Sequence, residues 1–154
     1  MRIGIVVHSH TGNTLSVAQK IKEELSAAGH TVALEQVTAV NEDPSAAGNI
    51  QLKTAPEVDS YDELIFGAPV RGLSLSPVMK AYLSQLRSLS GKKVACFVTQ
   101  HFPYPWMGGT RSVRQIKEIC EAKGANVSQT GIVNWSHKER ERKIEEVVKN
   151  LGKI

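Results

Sequence analysis

The order of patterns at the start of the chain limits the possible folds most strongly. A short apolar run over residues 3–7 is followed by a turn that is rich in hydroxyl and amide side chains. Apolar residues at helical spacing come directly after the turn: Ala18, Ile21, Leu25 and Ala28. This succession predicts a buried β-strand over residues 2–7, a tight turn, and an amphipathic helix over residues 13–28 that stops at Gly29.

The turn itself has the composition of an anion-binding loop. It contains no Lys or Arg and reads Ser9-His10-Thr11-Gly12-Asn13-Thr14. A helix that begins here offers unpaired backbone N–H groups and the positive end of its dipole. Hydroxyl and amide side chains add further donors, so the sequence predicts a site for one terminal phosphate, held without a metal ion. The alternative interpretation is an ordinary strand–turn–helix connection with a good N-cap.

Strand and helix patterns alternate along the rest of the chain. Further strands are predicted over residues 31–37, 63–67, 94–99 and 126–133, and further helices after residue 76, over 110–122 and after residue 136. Such alternation predicts an α/β fold, with a parallel sheet covered by helices on both faces, in a single domain of residues 1–154. Ligands of such sheets bind beyond the carboxyl ends of the strands, where the strand order reverses.

Local signals refine these helices. Ser76 and Pro77 supply an N-cap and a first-turn proline to the second helix, which is expected to bury Leu86 among other apolar residues. Ser136 and Glu139 have the spacing of a capping box for the last helix. The long segment of residues 41–60 is expected to contain a short, weak helix around residues 46–52.

The segment after the third strand is interpreted as a second binding loop, over residues 68–75. It combines a rigid start, apolar side chains, backbone amides and a flexible glycine in the run Ala68-Pro69-Val70-Arg71-Gly72. A flat, mostly apolar ring with a polar edge needs contacts of this kind. An ordinary strand-to-helix turn built with proline and glycine is the alternative.

The segment after the fourth strand carries more information. Three of the eight Phe, Tyr and Trp residues of the chain lie in this one loop, where aromatic faces are available to stack on a planar ligand. The candidate contacts are Thr99, Gln100, His101, Phe102, Trp106, Gly108 and Gly109, with Trp106 and Phe102 as the preferred stacking residues. The aromatic side chains could instead anchor the loop or form a protein interface.

Composition excludes several classes of protein. The chain has a net charge of +4 and a pI near 9.1, but its basic residues are mixed with acids, as over residues 138–143. We therefore expect no nucleic-acid binding. No apolar run approaches the roughly 20 residues of a membrane-spanning helix, and no signal peptide precedes the first strand, so we expect a cytoplasmic protein. Cys96 and Cys120 are isolated and are predicted to be free structural thiols.

The chain resembles the flavodoxin family. The resemblance is strongest in the phosphate loop, which matches the Ser/Thr-x-Thr-Gly-Asn-Thr pattern, and extends to the run Tyr61-Asp62-Glu63-Leu64-Ile65-Phe66-Gly67-Ala68-Pro69. It implies a doubly wound five-stranded sheet of order 2-1-3-4-5, FMN as cofactor, and one-electron transfer between redox partner proteins. The family's acidic residue after the fourth strand is missing from Met107-Gly108-Gly109-Thr110-Arg111, and the chain is basic where family members are usually acidic.

Two other functions are kept as alternatives. The run Pro69-Val70-Arg71-Gly72 is somewhat similar to a segment of flavodoxin-like NAD(P)H–quinone reductases, and His101 would lie where it could give a proton to a quinone. A flavin-free interaction module on the same fold is the third possibility.

The positions of the cations lead to two expectations. Arg71 beside the ring is expected to stabilise the negative charge of the fully reduced flavin. Arg111, Arg114 and Lys117 repeat at helical spacing near the start of their helix, where the dipole disfavours cations. We interpret them as a docking stripe for a partner with an acidic face, with a merely solvated helix face as the alternative.

Overall fold

A parallel sheet of five strands forms the centre of the structure, a computed structural model that describes residues 1–43, 49–102, 104 and 106–153. The strands are β1 (Arg2–Val7), β2 (Thr31–Gln36), β3 (Glu63–Arg71), β4 (Lys93–Gln100) and β5 (Asn126–Asn134). Their spatial order is β2-β1-β3-β4-β5, with every neighbouring pair parallel. The predicted order 2-1-3-4-5 is confirmed.

Four helices cover the two faces of the sheet: α1 (Asn13–Ala27), α2 (Pro77–Gln85), α3 (Gly109–Ala122) and α4 (Arg140–Leu151). Side chains that alternate along each strand divide between two apolar clusters. Ile3, Ile5 and Val7 of β1 pack in one cluster with α1 and α4, whereas Val6 belongs to the other cluster, which holds α2 and α3. Both faces of β1 are therefore buried, which explains why this strand lacks polar alternation.

The predicted loop over residues 68–75 is wrong, because this segment is a β-hairpin. β3 continues to Arg71, and the short strand Ser74–Leu75 pairs back on it in antiparallel register. The side-chain oxygen Oε1 of Gln115 on α3 accepts hydrogen bonds from the Leu75 N–H at 2.9 Å and the Ser74 hydroxyl at 3.0 Å. The hairpin is therefore fixed by a helix 40 residues away in sequence, which local patterning does not reveal.

A helix was expected around residues 46–52, and the part of this segment that the structure describes is not helical. Residues 44–48 lie outside the described part of the chain, and residues 49–51 are not helical. Leu52 begins the short strand Leu52–Thr54, which pairs antiparallel with Thr38–Ala39. The hydroxyl groups of Thr38 and Thr54 lie 2.7 Å apart and join the two segments.

Two predicted helix ends need correction. The Ser136 hydroxyl donates to the backbone carbonyl of His101, and Glu139 pairs with Arg142 at 2.7 Å, so no capping box forms and α4 begins at Arg140. α2 ends at Gln85, before Leu86, whose backbone is extended. Leu86 is nevertheless buried against the same core, as its apolar character required.

The interpretation of the cysteines is confirmed. Cys96 and Cys120 are both free and buried, and burial raises the pKa of each thiol to about 12. Both side chains are therefore protonated at neutral pH and pack as small apolar groups. In the described residues, no helix combines the length and the apolar character that crossing a membrane would require.

Candidate functional site

The three predicted binding loops meet at one cleft at the carboxyl edge of the sheet. The cleft has a volume of about 240 Å³. It lies where the strand order reverses, because β2 and β3 are on opposite sides of β1. Nine of the predicted site residues line it: His10, Thr11, Asn13, Pro69, Val70, Arg71, Thr99, Gln100 and His101.

The loop after β1 leaves donors available at the start of α1. The Ser9 hydroxyl oxygen accepts the backbone N–H groups of Gly12 at 3.2 Å and Leu15 at 3.3 Å, which holds the loop in a tight turn. Gly12 is the N-cap and has a φ of +92°, a conformation that favours glycine. Within the described residues, the N–H groups of Asn13 and Thr14 have no hydrogen-bond partner. The loop therefore presents unpaired amides at the positive end of a helix dipole.

Thr14 links this loop to the loop after β4. Its side chain is buried, and its hydroxyl oxygen lies 2.8 Å from that of Thr99. The hydrogen bond fixes the spacing between the two loops across the sheet edge. The side chain of Thr14 therefore fixes the position of the loop, and only the Thr14 N–H remains free for a ligand.

Hydrogen bonds to backbone carbonyls hold the loop after β4. The amide nitrogen of Gln100 donates to the carbonyls of Phe102, at 3.1 Å, and Tyr104. The amide nitrogen of Asn134 on β5 also donates to the Phe102 carbonyl, at 3.1 Å. Gln100 was predicted to contact a ligand directly, but its amide nitrogen is used inside the protein and orders the aromatic loop.

The two preferred stacking residues are exposed beside the cleft and do not line it. Phe102 is 45% exposed and contacts the ring of His101 edge to face, with 5.7 Å between centroids. Trp106 is 76% exposed and stacks parallel to Tyr104 at 6.0 Å. Their role in binding a planar ligand remains a prediction.

Four other predicted residues, Ala68, Gly72, Gly108 and Gly109, lie around the cleft and do not line it. Ala68 is fully buried in the core, and Gly72 occupies the hairpin turn. A Cβ on Gly108 would lie 2.7 Å from the Cα of Leu73, and a Cβ on Gly109 would lie 2.6 Å from the side-chain oxygen of Gln100. Both glycines thus permit close packing of the hairpin and Gln100 against α3. That they contact a planar ligand stays a prediction.

Sequence reasoning missed a series of hydrogen-bonded polar groups centred on the buried side chain of His8. The imidazole Nε2–H donates to Glu42 at 3.1 Å, and the Ser76 hydroxyl lies 2.7 Å from Nδ1. Ser76 also caps α2 by accepting the Met79 N–H at 3.3 Å. No local signal could have identified this series, because Glu42 and Ser76 are 34 and 68 residues from His8.

The electrostatic surroundings of His8 favour its neutral form. Burial lowers the pKa of His8 below its usual value of 6.5 and outweighs the opposing effect of the Glu42 carboxylate. Partial burial acts to raise the pKa of Glu42, but hydrogen bonds from the Ala39 N–H and from His8 outweigh it and lower that pKa. A neutral imidazole beside an ionised carboxylate satisfies both groups, with the Ser76 hydroxyl donating to Nδ1.

This assignment predicts a pH-dependent stability. The unfolded chain binds a proton on His8 more readily than the folded protein does. The contribution of neutral His8 to the free energy of unfolding is therefore complete above pH 6.5 and is lost as the pH falls below that value. We expect the free energy of unfolding, measured in urea, to decrease from pH 7 to pH 5. His8→Gln should flatten this decrease, and His10→Gln, at an exposed histidine, should not. An unchanged pH profile in His8→Gln would refute the assignment.

The described residues contain no group of three or more His, Cys, Asp or Glu side chains that could hold a metal ion. The run from Ser9 to Thr14 also lacks a carboxylate, so the chemistry of this loop suits an anion bound by neutral donors.

The strand order and the cleft at the switch point define the class: a doubly wound α/β protein. A family model described as "Flavodoxin domain" matches residues 4–103. That match spans well over half of the chain, and the chain belongs to the flavodoxin family.

Solved structures agree with this assignment of the fold. Flavodoxin 2 from Bacillus cereus is 23% identical and superposes with a TM-score of 0.69, covering 99% of both chains. A flavoprotein from Lactobacillus acidophilus NCFM, solved in complex with FMN, is 21% identical with a TM-score of 0.64 and covers 95% of this chain and 97% of that one.

A curated relative carries the name of an enzyme. The protein named NAD(P)H dehydrogenase (quinone) from Archaeoglobus fulgidus is 26% identical over 121 residues. The match includes 67% of this chain and 63% of the relative. The chain thus spans less than two thirds of that relative's length.

Proposed function

We propose that this protein binds FMN and carries electrons between redox partner proteins. One observation supports the proposal above the others: a cation-free loop with unpaired amides at the start of α1 shares a single cleft with the loops after β3 and β4. A phosphate monoester fits the first loop, and a planar ring fits the apolar lining of the cleft, with exposed aromatic side chains of the third loop beside it.

The residues divide by the part of FMN they would hold. The Ser9 to Thr14 loop would bind the phosphate through backbone N–H groups and the Thr11 and Asn13 side chains. Pro69, Val70 and Arg71 would contact one side of the ring, with the segment from Thr99 to His101 on another. When bound, FMN supplies the electron-transfer chemistry, so no side chain needs to act as a nucleophile.

Arg71 is the residue most suited to tune the flavin. It is half-buried and lines the cleft. A guanidinium there stabilises negative charge on the reduced ring, and each 1.4 kcal/mol of such stabilisation shifts a one-electron potential by about 60 mV.

Arg71→Glu is therefore expected to lower the potential of the second one-electron reduction of bound FMN by about 60 mV or more. Spectroelectrochemistry measures this potential. The neutral variant Arg71→Gln should give an intermediate shift, whereas Arg87→Glu, at an exposed residue beyond the far end of α2, should give little change. Equal potentials in Arg71→Glu and wild type would exclude the role.

An FMN-dependent NAD(P)H–quinone reductase is the second candidate. The name of the Archaeoglobus fulgidus relative favours it, as does His101, an exposed residue on the cleft. Its imidazole could donate a proton to a two-electron acceptor.

Anaerobic photoreduction of the purified protein, followed by absorption, tests the proposal. A flavin spectrum at one FMN per chain, with a stable one-electron-reduced form and no steady oxidation of NAD(P)H by a quinone, would support the carrier. Steady turnover of NAD(P)H with quinone would favour the reductase. A colourless protein that does not bind added FMN would overturn both and leave the flavin-free interaction module.

A further inference from the structure

The charge of this chain is distributed very unevenly. Residues 64–117 contain no Asp or Glu and eight Lys or Arg, while the rest of the chain contains all 15 acids and 11 bases. The net charge of +4 therefore combines a strongly basic central segment with an acidic N-terminal segment, residues 1–63, which has nine acids and four bases. The central segment includes two of the three loops at the cleft, and the loop after β1 carries no acid before Glu23.

Exposed apolar side chains concentrate at the same place. Among the described residues, six large hydrophobic side chains are exposed, and four of them are on the hairpin tip or the loop after β4: Leu73, Phe102, Tyr104 and Trp106. Leu73 is 49% exposed. Clusters of exposed apolar groups with a polar rim are typical of protein interaction sites.

The conformation of Leu73 strengthens this interpretation. It has a φ of +64°, which makes it the single non-glycine residue with a positive φ in the described chain. A hairpin turn of this kind normally carries glycine or asparagine at such a position. This chain instead has a leucine at the position, and its side chain is exposed to solvent. Neither the backbone conformation nor the exposure of Leu73 favours folding or solubility. A contact with another molecule is therefore the better explanation.

Two arginines flank this apolar group. Gly108 packs against Leu73, and the Gln115 side chain bonds the hairpin, so the first turns of α3 lie directly beside the hairpin tip. Arg111 and Arg114 are exposed on these turns and form no ion pair within the described residues, whereas Lys117 pairs with Glu121 at 3.7 Å.

We infer that Leu73, Trp106, Arg111 and Arg114, which we call the hairpin–α3 surface, dock a redox protein with an acidic face. Positive charge around an apolar centre complements a partner whose carboxylates surround an apolar patch. The surface has two exposed arginines beside exposed apolar side chains, unlike the extended rows of cations that follow a phosphate backbone. The inference rests on the proposed function, because the surface adjoins the cleft proposed for FMN.

Chemical-shift mapping tests this surface directly. The ¹⁵N-labelled protein with FMN is titrated with cytochrome b5, an acidic haem protein, and separately with basic cytochrome c. Cytochrome b5 should perturb residues 71–74 and 106–115 at 20 mM NaCl, bind at least tenfold more weakly at 300 mM, and bind at least tenfold more tightly than cytochrome c.

A matched pair of variants separates the surface from the overall charge. Arg111→Glu/Arg114→Glu should weaken cytochrome b5 binding at least tenfold. Arg87→Glu/Lys149→Glu makes the same change in net charge at exposed residues far from the cleft, since α2 and α4 both run away from that edge. It should change the affinity less than threefold.

Several results would overturn the inference. They are no perturbation by cytochrome b5, an equal loss in both double variants, or tighter binding of a 12-mer oligonucleotide than of cytochrome b5 at the same residues. Failure of the proposed function is a separate result: a protein that does not bind FMN but gives the expected perturbations without it would retain the docking surface and lose the cofactor.

Discussion

Thr11→Asp is expected to weaken FMN binding by about 100-fold or more while leaving riboflavin binding nearly unchanged. Thr11 is exposed and lines the cleft at the start of α1. A carboxylate there faces the phosphate of FMN at short range. At an effective dielectric constant near 20, repulsion between such charges is on the order of 3 kcal/mol, and 1.4 kcal/mol is tenfold in affinity.

The matched control is Thr11→Asn, which has nearly the shape of Thr11→Asp but no charge. It should lose less than tenfold in FMN affinity, because an amide can still donate to phosphate. Fluorescence titration of the apoprotein with FMN and with riboflavin measures all four combinations. If Thr11→Asp lowered the affinity for both flavins equally, its effect would be structural, and the loop would not be a phosphate site.

Gly67→Ala should be the most destabilising small substitution at the cleft edge. A Cβ at Gly67 would lie 2.3 Å from the ring of Phe97, which is fully buried. Neither the ring nor the backbone of β3 can move freely, since Gly67 pairs with Phe97 in the register of the sheet and its carbonyl accepts the His8 N–H at 3.0 Å. We expect a loss of about 3 kcal/mol in the free energy of unfolding, or about 6–12 °C in melting temperature.

A double-mutant cycle identifies the cause of this loss. Phe97→Leu removes the ring edge that the new methyl group would meet, at the cost of a smaller core side chain. In that background, Gly67→Ala should cost less than about 1 kcal/mol, so the two changes are strongly coupled. Equal costs in both backgrounds would mean that the contact with Phe97 is not what requires glycine at this position.

The elements that the sequence predicted correctly are those governed by local patterns. Continuous apolar runs identified the buried strands, and the 3.6-residue period identified helices such as α1 and α4. The cleft followed from these elements, because parallel strands place the loops after β1, β3 and β4 at one edge. All nine residues that line the cleft come from these predicted loops.

The wrong predictions and the missed contacts arise where distant residues compete for local groups. Ser136 has a capping sequence, but its hydroxyl donates to the carbonyl of His101, and the hairpin depends on Gln115 of α3. His8 is bound by Glu42 and Ser76, which are remote in sequence. Gln100 lies in the predicted loop and donates to the Phe102 carbonyl, which also accepts a hydrogen bond from Asn134 of β5. Composition does not predict these internal hydrogen bonds, because they depend on the path of the loop relative to β5.

The central claim is that the loop at the start of α1 holds the terminal phosphate of a flavin. Titrating the wild-type apoprotein with FMN and with riboflavin tests it most directly. The account predicts one FMN per chain, bound at least 100-fold more tightly than riboflavin, with inorganic phosphate competing only against FMN. Equal affinity for the two flavins, or no binding of either, would contradict it.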